Sequence, residues 1–230
     1  MLLRAAITKG EQVRYISHLD FARTVERALR RAQLPVAYSE GFNPHVKLAF
    51  ASALSVGVTG DQEYFDVELV EDITPSDFTA RLAGALPDGI YVSQAAVITQ
   101  THKALMAVIN YAAYSVELPL AGGLTAVEAA VSGFNTAEVV MYTRQSPKGK
   151  REIDLKQFVD NLTAQTNGNK LLLSFGIEIK PTGSAKASEL LEVLTERFSL
   201  PVERELAFIR REGLWIKQGD DLISPLELRG

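Results

Sequence analysis

The residues best suited to acid–base chemistry in this sequence are three histidines, His18, His45 and His102. Imidazole titrates near neutral pH, so His18 and His45, if the fold brings them together, could contact a phosphate or act as acid and base on an RNA backbone. The alternative is that His18 is simply exposed in the first turn of a helix. His102 falls in a predicted linker and is expected to be exposed.

The sequence lacks the residues and motifs that other common types of catalytic or cofactor site require. The sequence contains no cysteine, which excludes disulfides, thiolate metal sites, cysteine nucleophiles and cysteine-ligated iron–sulfur clusters in this polypeptide. Two distant histidines and Asp20 match no compact metal-ligand spacing. The GxxxxGK[ST], GxGxxG and GxSxG motifs of phosphate, dinucleotide and hydrolase sites are missing too. The sequence therefore indicates no metal and no cofactor, and it favours binding over catalysis.

A helix with a basic side is predicted near the start of the chain. Ser17 is the expected N-cap, with Asp20 at the third position of a capping-box variant, and Pro35 prevents the helix from continuing beyond Gln33. At about 100° per residue the helix has one apolar side and one basic side. The apolar side comprises Leu19, Phe21, Ala22, Val25, Ala28, Leu29 and Ala32, and the basic side comprises Arg23, Arg27, Arg30 and Arg31.

A turn-rich loop, Ser39 to His45, follows the helix. Gly41 can adopt backbone angles closed to other residues, and Pro44 fixes the direction of the chain. If exposed, Phe42 could stack on a base; it could equally pin the loop to the core. The candidate binding residues of the loop and its surroundings are Phe42, Asn43, His45 and Lys47.

Positive charge is concentrated in this part of an acidic chain. Residues 1–60 contain eight Lys or Arg against four Asp or Glu, whereas the whole chain has a formal net charge of −4. Such a patch favours a polyanion or an acidic protein surface as partner, although the arginines could also form only a solvated face. A smaller basic cluster, Lys148 to Arg151, is predicted to be a hairpin tip.

The first half of the chain has the order strand, helix, strand, strand, helix, strand. Predicted strands lie at Leu2 to Thr8 with Val13 to Ile16, at Lys47 to Leu54, at Glu63 to Leu69 and at Gly89 to Ile98, and Val36 to Tyr38 is a further short strand. Thr74 and Pro75 begin the second helix. This α+β order predicts a ferredoxin-like (βαββαβ) domain over residues 1–100.

The second half, residues 101–230, is predicted to be another α+β domain, and a second ferredoxin-like unit with an inserted helix would explain its order. Strands are expected within 105–118, where Tyr114, Val116 and Leu118 alternate, and at 138–143 and 171–179. Helices are expected from Thr125 to Gly133, from Leu155 to Leu162 after an Asp154 cap, and from Ser188 to Phe198. Pro201 to Ile216 is predicted as a hairpin that turns at 211–213. The expected seam between the domains is Thr99 to Lys103.

Length and composition fit an ordinary globular protein. The 230 residues are 47% hydrophobic and 23% charged, enough for one large or two small cores. The N-terminal residues lack the apolar core of a secretion signal, and no later run approaches 18 apolar residues. We therefore expect a cytoplasmic protein without a membrane partner.

Three stretches carry a resemblance to a known family. These are YISHLDFARTVERALRRAQLPVAYSEGFNPHVKLAFASALSVGV at 15–58, EYFDVEL at 63–69 and KREIDL at 150–155. They resemble the bacterial radical-SAM-linked protein family, a domain of unknown function fused to, or encoded beside, radical SAM proteins. The resemblance implies a radical SAM partner and an RNA-related role, but no reaction. Because this chain has no cluster cysteines, any radical chemistry must belong to another polypeptide.

Three hypotheses follow for the function. The first is an RNA-binding accessory protein that works with a radical SAM partner in RNA modification or in ribosome or tRNA metabolism. The second is a metal-independent ribonuclease that uses His18 or His45. The third is a protein-interaction module whose basic helix docks on an acidic face of the radical SAM protein.

Overall fold

A computed structural model describes residues 1–98, 104–146 and 149–227 of the chain. The chain forms two compact units, Met1–Ile109 with Arg211–Gly230, and Asn110–Arg210. Both units combine helices with antiparallel strands, which confirms the predicted α+β fold class. The predicted seam at 99–103, including His102, lies outside the described residues.

The first unit has the predicted ferredoxin-like order. Its elements are β1 (Leu2–Lys9), α1 (His18–Arg31), β2 (Leu48–Phe50), β3 (Val58–Glu68), α2 (Pro75–Ala83), β4 (Ile90–Ile98) and the short helix α3 (Leu105–Val108). The strands lie in the order β4-β1-β3-β2, and every neighbouring pair is antiparallel. In this topology each helix connects two strands that are not adjacent, so both helices pack on one face of the sheet.

Alternation along the strands decides which side chains face the helices. Leu3 and Ile7 of β1 and Phe65 of β3 belong to the core that α1 and α2 cover. The helices contribute apolar side chains at helical spacing, among them Phe21, Val25, Leu29, Phe78 and Leu82. Arg4 points to the opposite face, where its guanidinium pairs with Asp66 at 2.7 Å and donates to the Pro225 carbonyl at 3.0 Å.

The predicted helix caps are present in the first unit. Ser17 Oγ accepts a hydrogen bond from the Asp20 amide at 3.1 Å, and Thr74 Oγ1 accepts one from the Asp77 amide at 3.1 Å. The Asp20 carboxylate does not reach back to a backbone amide; it accepts from the Ser17 hydroxyl at 2.7 Å. Both helices therefore begin where the sequence predicts.

Several short strands predicted in the first unit are wrong or too long. The chain makes a 3₁₀ turn at Glu11–Val13 instead of a strand at 13–16. Only isolated bridges form at Val36 and Tyr38, and β2 keeps just three of the residues predicted for it. Strand β3 begins at Val58, five residues before the predicted start at Glu63. The ends of a strand depend on which backbone groups find hydrogen-bond partners, and the hydrophobic pattern of the sequence does not show this.

The second unit repeats the same topology. Its elements are β5 (Tyr111–Pro119), α4 (Leu124–Thr136), β6 (Met141–Ser146), β7 (Gly149–Asp154), β8 (Val159–Asn167), β9 (Lys170–Glu178), α5 (Ala187–Arg197) and β10 (Phe208–Gln218), which begins in this unit. Its strands lie in the order β10-β5-β9-β8. Its core includes Val127 and Phe134 of α4 and Leu190 and Leu194 of α5.

The insertion in the second unit is the β6–β7 hairpin, not the predicted helix at 155–162. Asp154 does cap a turn, accepting from the Lys156 amide at 3.1 Å, but that turn is a 3₁₀ helix of three residues and strand β8 follows it. Arg144 of β6 pairs with Glu189 of α5 at 2.7 Å and donates to the Ser184 carbonyl at 3.0 Å. These bonds hold the hairpin against the start of α5.

Two further predictions for the second half are wrong. Helix α4 begins at Leu124 after Gly123, not after a Thr125 cap, and it continues to Thr136. The predicted turn at 211–213 is the middle of β10, and the hairpin instead turns at Gly219 into β11 (Asp221–Ile223). Gly219 has a φ of 62°, a left-handed conformation that suits glycine, whereas Gly213 lies within the strand.

Among the described residues, no helix is long and apolar enough to cross a membrane.

Candidate functional site

The outer face of α1 carries the predicted arginines, and they differ in what they contact. Arg23 lies 3.6 Å from the Asp20 carboxylate, and Arg30 forms an ion pair with Glu26. Arg31 donates to the Ala85 carbonyl at 2.5 Å, so it also has a structural contact. Arg27 makes no hydrogen bond or ion pair within the described part of the chain. All four arginines are exposed, but Arg31 is bound to the Ala85 carbonyl, so we assign Arg23, Arg27 and Arg30 to the candidate surface.

Leu19 belongs to this outer face, not to the apolar side on which it was predicted. Its side chain is 66% exposed. Leu19, Arg23, Arg27 and Arg30 are spaced by four, four and three residues, so they form one stripe along the helix. The prediction failed because Leu19 lies at the margin of the apolar half-wheel, and the core is centred nearer Phe21, Val25 and Ala28.

The loop after α1 is closed at its base and open at its tip. Tyr38 and Val46 form an isolated bridge, the Ser39 amide donates to the His45 carbonyl at 2.8 Å, and the His45 amide donates to Ser39 Oγ at 3.0 Å. Phe42 at the tip is fully exposed, so it does not pin the loop to the core. Gly41 beside it has a φ of 119° that other residues rarely adopt.

A cation–π contact joins the basic helix to this loop. The Arg30 guanidinium lies 5.7 Å from the centre of the Tyr38 ring, within the range of a cation–π interaction. Tyr38 is the residue from which the loop departs. The outer face of α1 and the 39–47 loop consequently form one continuous surface, which we call the α1 surface.

Lys47 extends the α1 surface but is already paired. Its ammonium donates to the Glu68 carboxylate at 2.8 Å, and this hydrogen bond raises the pKa of Lys47. Both side chains of this pair are about half exposed, so the pair stabilises the fold only weakly. Its opposite charges leave little net charge at this position. Asn43 and His45 are exposed in the same loop.

His18 and His45 have different surroundings. The His18 ring packs edge-on against Phe50, with the ring centres 5.4 Å apart, and its buried Nδ1 has no hydrogen-bond partner among the described residues. Burial lowers the pKa of His18, Arg211 and Lys9 lower it further, and Glu63 opposes them. The two histidines share no contact in the described ranges, and the ribonuclease hypothesis stays a prediction.

A buried polar cluster lies beside His18, and its residues were not predicted from the sequence. Arg211 donates to Glu63 from Nε at 2.6 Å, and Lys9 donates to the carbonyls of Arg14 and Ile16 at 2.9 and 3.0 Å. Burial also lowers the pKa of Lys9. A signal was present, because Lys9 continues the inward alternation of β1 and Glu63 lies two residues before inward-facing Phe65.

The second basic cluster, Lys148 to Arg151, is a weaker candidate for a binding surface. Lys148 lies outside the described residues, Lys150 is exposed, and Arg151 donates to the Thr182 carbonyl at 2.8 Å. This hairpin belongs to the second unit and is held by contacts within it. Nowhere in ranges 1–98, 104–146 and 149–227 do three metal-ligating side chains gather.

Residues 3–189 match the family described as an uncharacterized protein conserved in bacteria (DUF2344), and the chain belongs to that family. No curated protein matches the sequence. A chain in the crystal structure of a Cbf5-Nop10-Gar1 complex is similar in structure, with a TM-score of 0.46 and 10% identity. The alignment covers 90% of this chain and 47% of that chain, so this chain spans about half the length of that one.

Proposed function

We propose that this member of the bacterial DUF2344 family is an RNA-binding accessory protein that works with a radical SAM enzyme in RNA modification or in ribosome or tRNA metabolism. The α1 surface contacts the RNA, with Arg23, Arg27 and Arg30 at the phosphates. The observation that supports this most is the contact between Arg30 and Tyr38, because it joins a row of exposed arginines to a loop with a fully exposed phenylalanine.

Charge favours a polyanion at this surface. The whole chain has a net charge of −4, so arginines that face solvent from one helix create a local positive field on an acidic protein. Arg27 is available without the loss of an existing ion pair in the described structure. Phosphate contacts of this type release counterions, so binding should weaken steeply as salt increases.

Only the sequence resemblance supports a radical SAM enzyme as the partner. Radical SAM chemistry needs an iron–sulfur cluster, which cysteine thiolates hold. This chain has no cysteine. The partner would therefore supply the cluster and the reaction, and this protein would supply RNA affinity.

The test compares two double variants that remove the same charge. Arg23→Ala/Arg27→Ala removes two arginines of the α1 surface, and Lys170→Ala/Lys186→Ala removes two exposed lysines of the second unit. We expect the arginine variant to lower affinity for total cellular RNA about tenfold or more and to reduce the salt slope by about two, while the lysine variant binds normally. Equal affinity of the arginine variant and the wild type would overturn the proposal.

Docking on a protein is a second candidate, favoured by Leu19. An exposed leucine in a row of arginines is also typical of protein interfaces, in which an apolar centre is surrounded by charged groups. Co-purification of a radical SAM protein that survives nuclease treatment and is lost in Leu19→Ser would favour this function over RNA binding. Loss of co-purification after nuclease treatment would favour RNA.

A further inference from the structure

Tyr15 lies just before the N-terminus of α1, the helix that carries the α1 surface. We infer that the RNA is single-stranded at this surface and runs along α1, with one unpaired base stacked on Tyr15. This inference rests on the proposed function. It adds the form of the RNA, a stacking residue and the length of the bound segment.

The Tyr15 ring is well placed to accept a base. It lies immediately before α1 and is 67% exposed. The Arg14 guanidinium lies 4.6 Å from the ring centre, so it covers part of the ring and leaves the rest to solvent. An exposed tyrosine backed by an arginine combines a stacking platform with a charge for the adjacent phosphate.

The backbone on both sides of Tyr15 is fixed by a buried charge. Lys9 is fully buried, and its ammonium donates to the carbonyls of Arg14 and Ile16, the two neighbours of Tyr15. The Gly57 amide also donates to the Arg14 carbonyl, at 2.9 Å. Burying a lysine costs free energy unless its ammonium group has hydrogen-bond acceptors. The carbonyls on both sides of Tyr15 supply them, so moving this turn would leave the buried ammonium without these bonds. The result is a rigid support for an exposed ring, which limits the entropy lost when a base stacks on it.

The opposite end of the α1 surface has a similar arrangement. Arg30 lies against Tyr38, and Tyr38 is 43% exposed. From His18, which begins α1 after Tyr15, to Arg30 the helix rises about 18 Å, at about 1.5 Å per residue. That length corresponds to about five nucleotides at a stacked spacing of about 3.4 Å per strand. Arg23 and Arg27 lie between the two tyrosines, where the phosphates of such a segment would pass.

A duplex would not use these rings. Its bases are paired and stacked on each other, so it would present phosphates to the arginines but no free base to Tyr15. A single strand can use both. The two forms of RNA should therefore respond differently to loss of the Tyr15 ring, whereas both should respond to loss of the arginines.

The experiment measures binding of labelled oligoadenylate of about ten nucleotides, a length within known single-strand site sizes, and of the same strand annealed to oligouridylate. The variants are Tyr15→Ala, Tyr15→Phe and, as a matched control, Tyr91→Ala, which removes a comparably exposed tyrosine from β4. We expect Tyr15→Ala to lower single-strand affinity about tenfold, Tyr15→Phe to retain most of it, and Tyr91→Ala to change nothing. Thermal unfolding confirms that each variant is folded.

Two results would overturn the inference while leaving the proposed function intact. One is unchanged single-strand affinity in Tyr15→Ala when Arg23→Ala/Arg27→Ala still weakens binding. The other is an equal loss for duplex and single strand in Tyr15→Ala. If the arginine variant also binds both RNAs normally, the proposed function itself fails.

Discussion

Arg211 and Glu63 form an ion pair in the interior of the first unit, with Arg211 Nε 2.6 Å from Glu63 Oε1 and each side chain 3% exposed. Arg211 also donates to Ser52 Oγ and to the Ala53 carbonyl, each at 3.3 Å. The two residues are 148 positions apart in the sequence. The pair therefore ties the returning C-terminal segment to β3 and to the 52–53 turn.

Glu63→Gln should strongly destabilise the first unit. The amide keeps the size of the side chain but leaves the buried guanidinium without its counter-charge. Breaking a buried pair in this way typically costs about 3–5 kcal/mol. Urea unfolding followed by circular dichroism measures the change in the free energy of unfolding.

Glu68→Gln provides the matched control for that prediction. Glu68 pairs with Lys47 at 2.8 Å, but both side chains are about half exposed. Removing an exposed pair usually changes stability by less than about 1 kcal/mol. Similar losses in the two variants would mean that the Arg211–Glu63 pair is no more important than a surface pair.

Stability should decrease as the pH falls through the range in which His18 titrates. Burial lowers the pKa of His18 in the folded protein below its ordinary value of 6.5, and the nearby Arg211 and Lys9 act in the same direction. The unfolded chain therefore binds a proton at a higher pH than the folded chain does, so stability is lost below about pH 6.5. Thermal unfolding at pH 8 to pH 5 measures this loss.

His18→Gln should reduce this pH dependence. Glutamine cannot gain the proton, so the part of the slope that comes from His18 disappears between about pH 6.5 and the lower value of the folded protein. His45→Gln is the control, because His45 is exposed. An unchanged slope in His18→Gln would show that other groups cause the loss.

The fold was predictable wherever local chemistry and topology agree. Ser17 and Thr74 cap the helices as predicted because an N-cap satisfies amides within one turn and needs no distant partner. A helix was predicted at 155–162 because Asp154 is a good helix cap, whereas pairing with β9 makes the chain a strand from Val159 onward. Pairing across the sheet is a long-range interaction that local propensity does not report.

The candidate site was predictable only in part. The arginine row follows from helical spacing, but the exposure of Leu19 and Tyr15 depends on where the core lies, and that depends on tertiary packing. The buried cluster of Lys9, Glu63 and Arg211 needs residues from distant parts of the chain. The local signs of it were Lys9 and Glu63, two charged residues at inward strand positions.

Gly176→Ala should destabilise the second unit. A methyl group at Gly176 would lie 1.7 Å from the Tyr111 hydroxyl oxygen, since the tyrosine ring crosses directly over this residue of β9. Tyr111 is buried, so it cannot move away freely. Overpacking of this kind typically costs about 1–3 kcal/mol, measured as the loss in free energy of unfolding.

Gly123→Ala is the control for the glycine prediction. Nothing lies within 4 Å of a methyl group at that position, and the φ of Gly123 is −82°, which alanine adopts readily. Because Gly123 is the N-cap of α4, where alanine is less favourable than glycine, the loss in the free energy of unfolding should be small, below about 1 kcal/mol. A comparable loss in Gly123→Ala would show that backbone entropy or local strain, and not Tyr111, limits substitution of glycine here.

Phe42→Ala should leave stability unchanged and weaken RNA binding. The Phe42 ring is fully exposed, so its removal deletes no core contact, and surface substitutions usually change stability by less than about 0.5 kcal/mol. If a base stacks on the ring, truncation should lower single-strand affinity about tenfold, while Phe42→Trp should preserve it. Fluorescence anisotropy with labelled oligoadenylate measures the affinity. Normal binding by Phe42→Ala, together with a loss in Tyr15→Ala, would confine stacking to the N-terminal end of α1 and remove the loop from the RNA site.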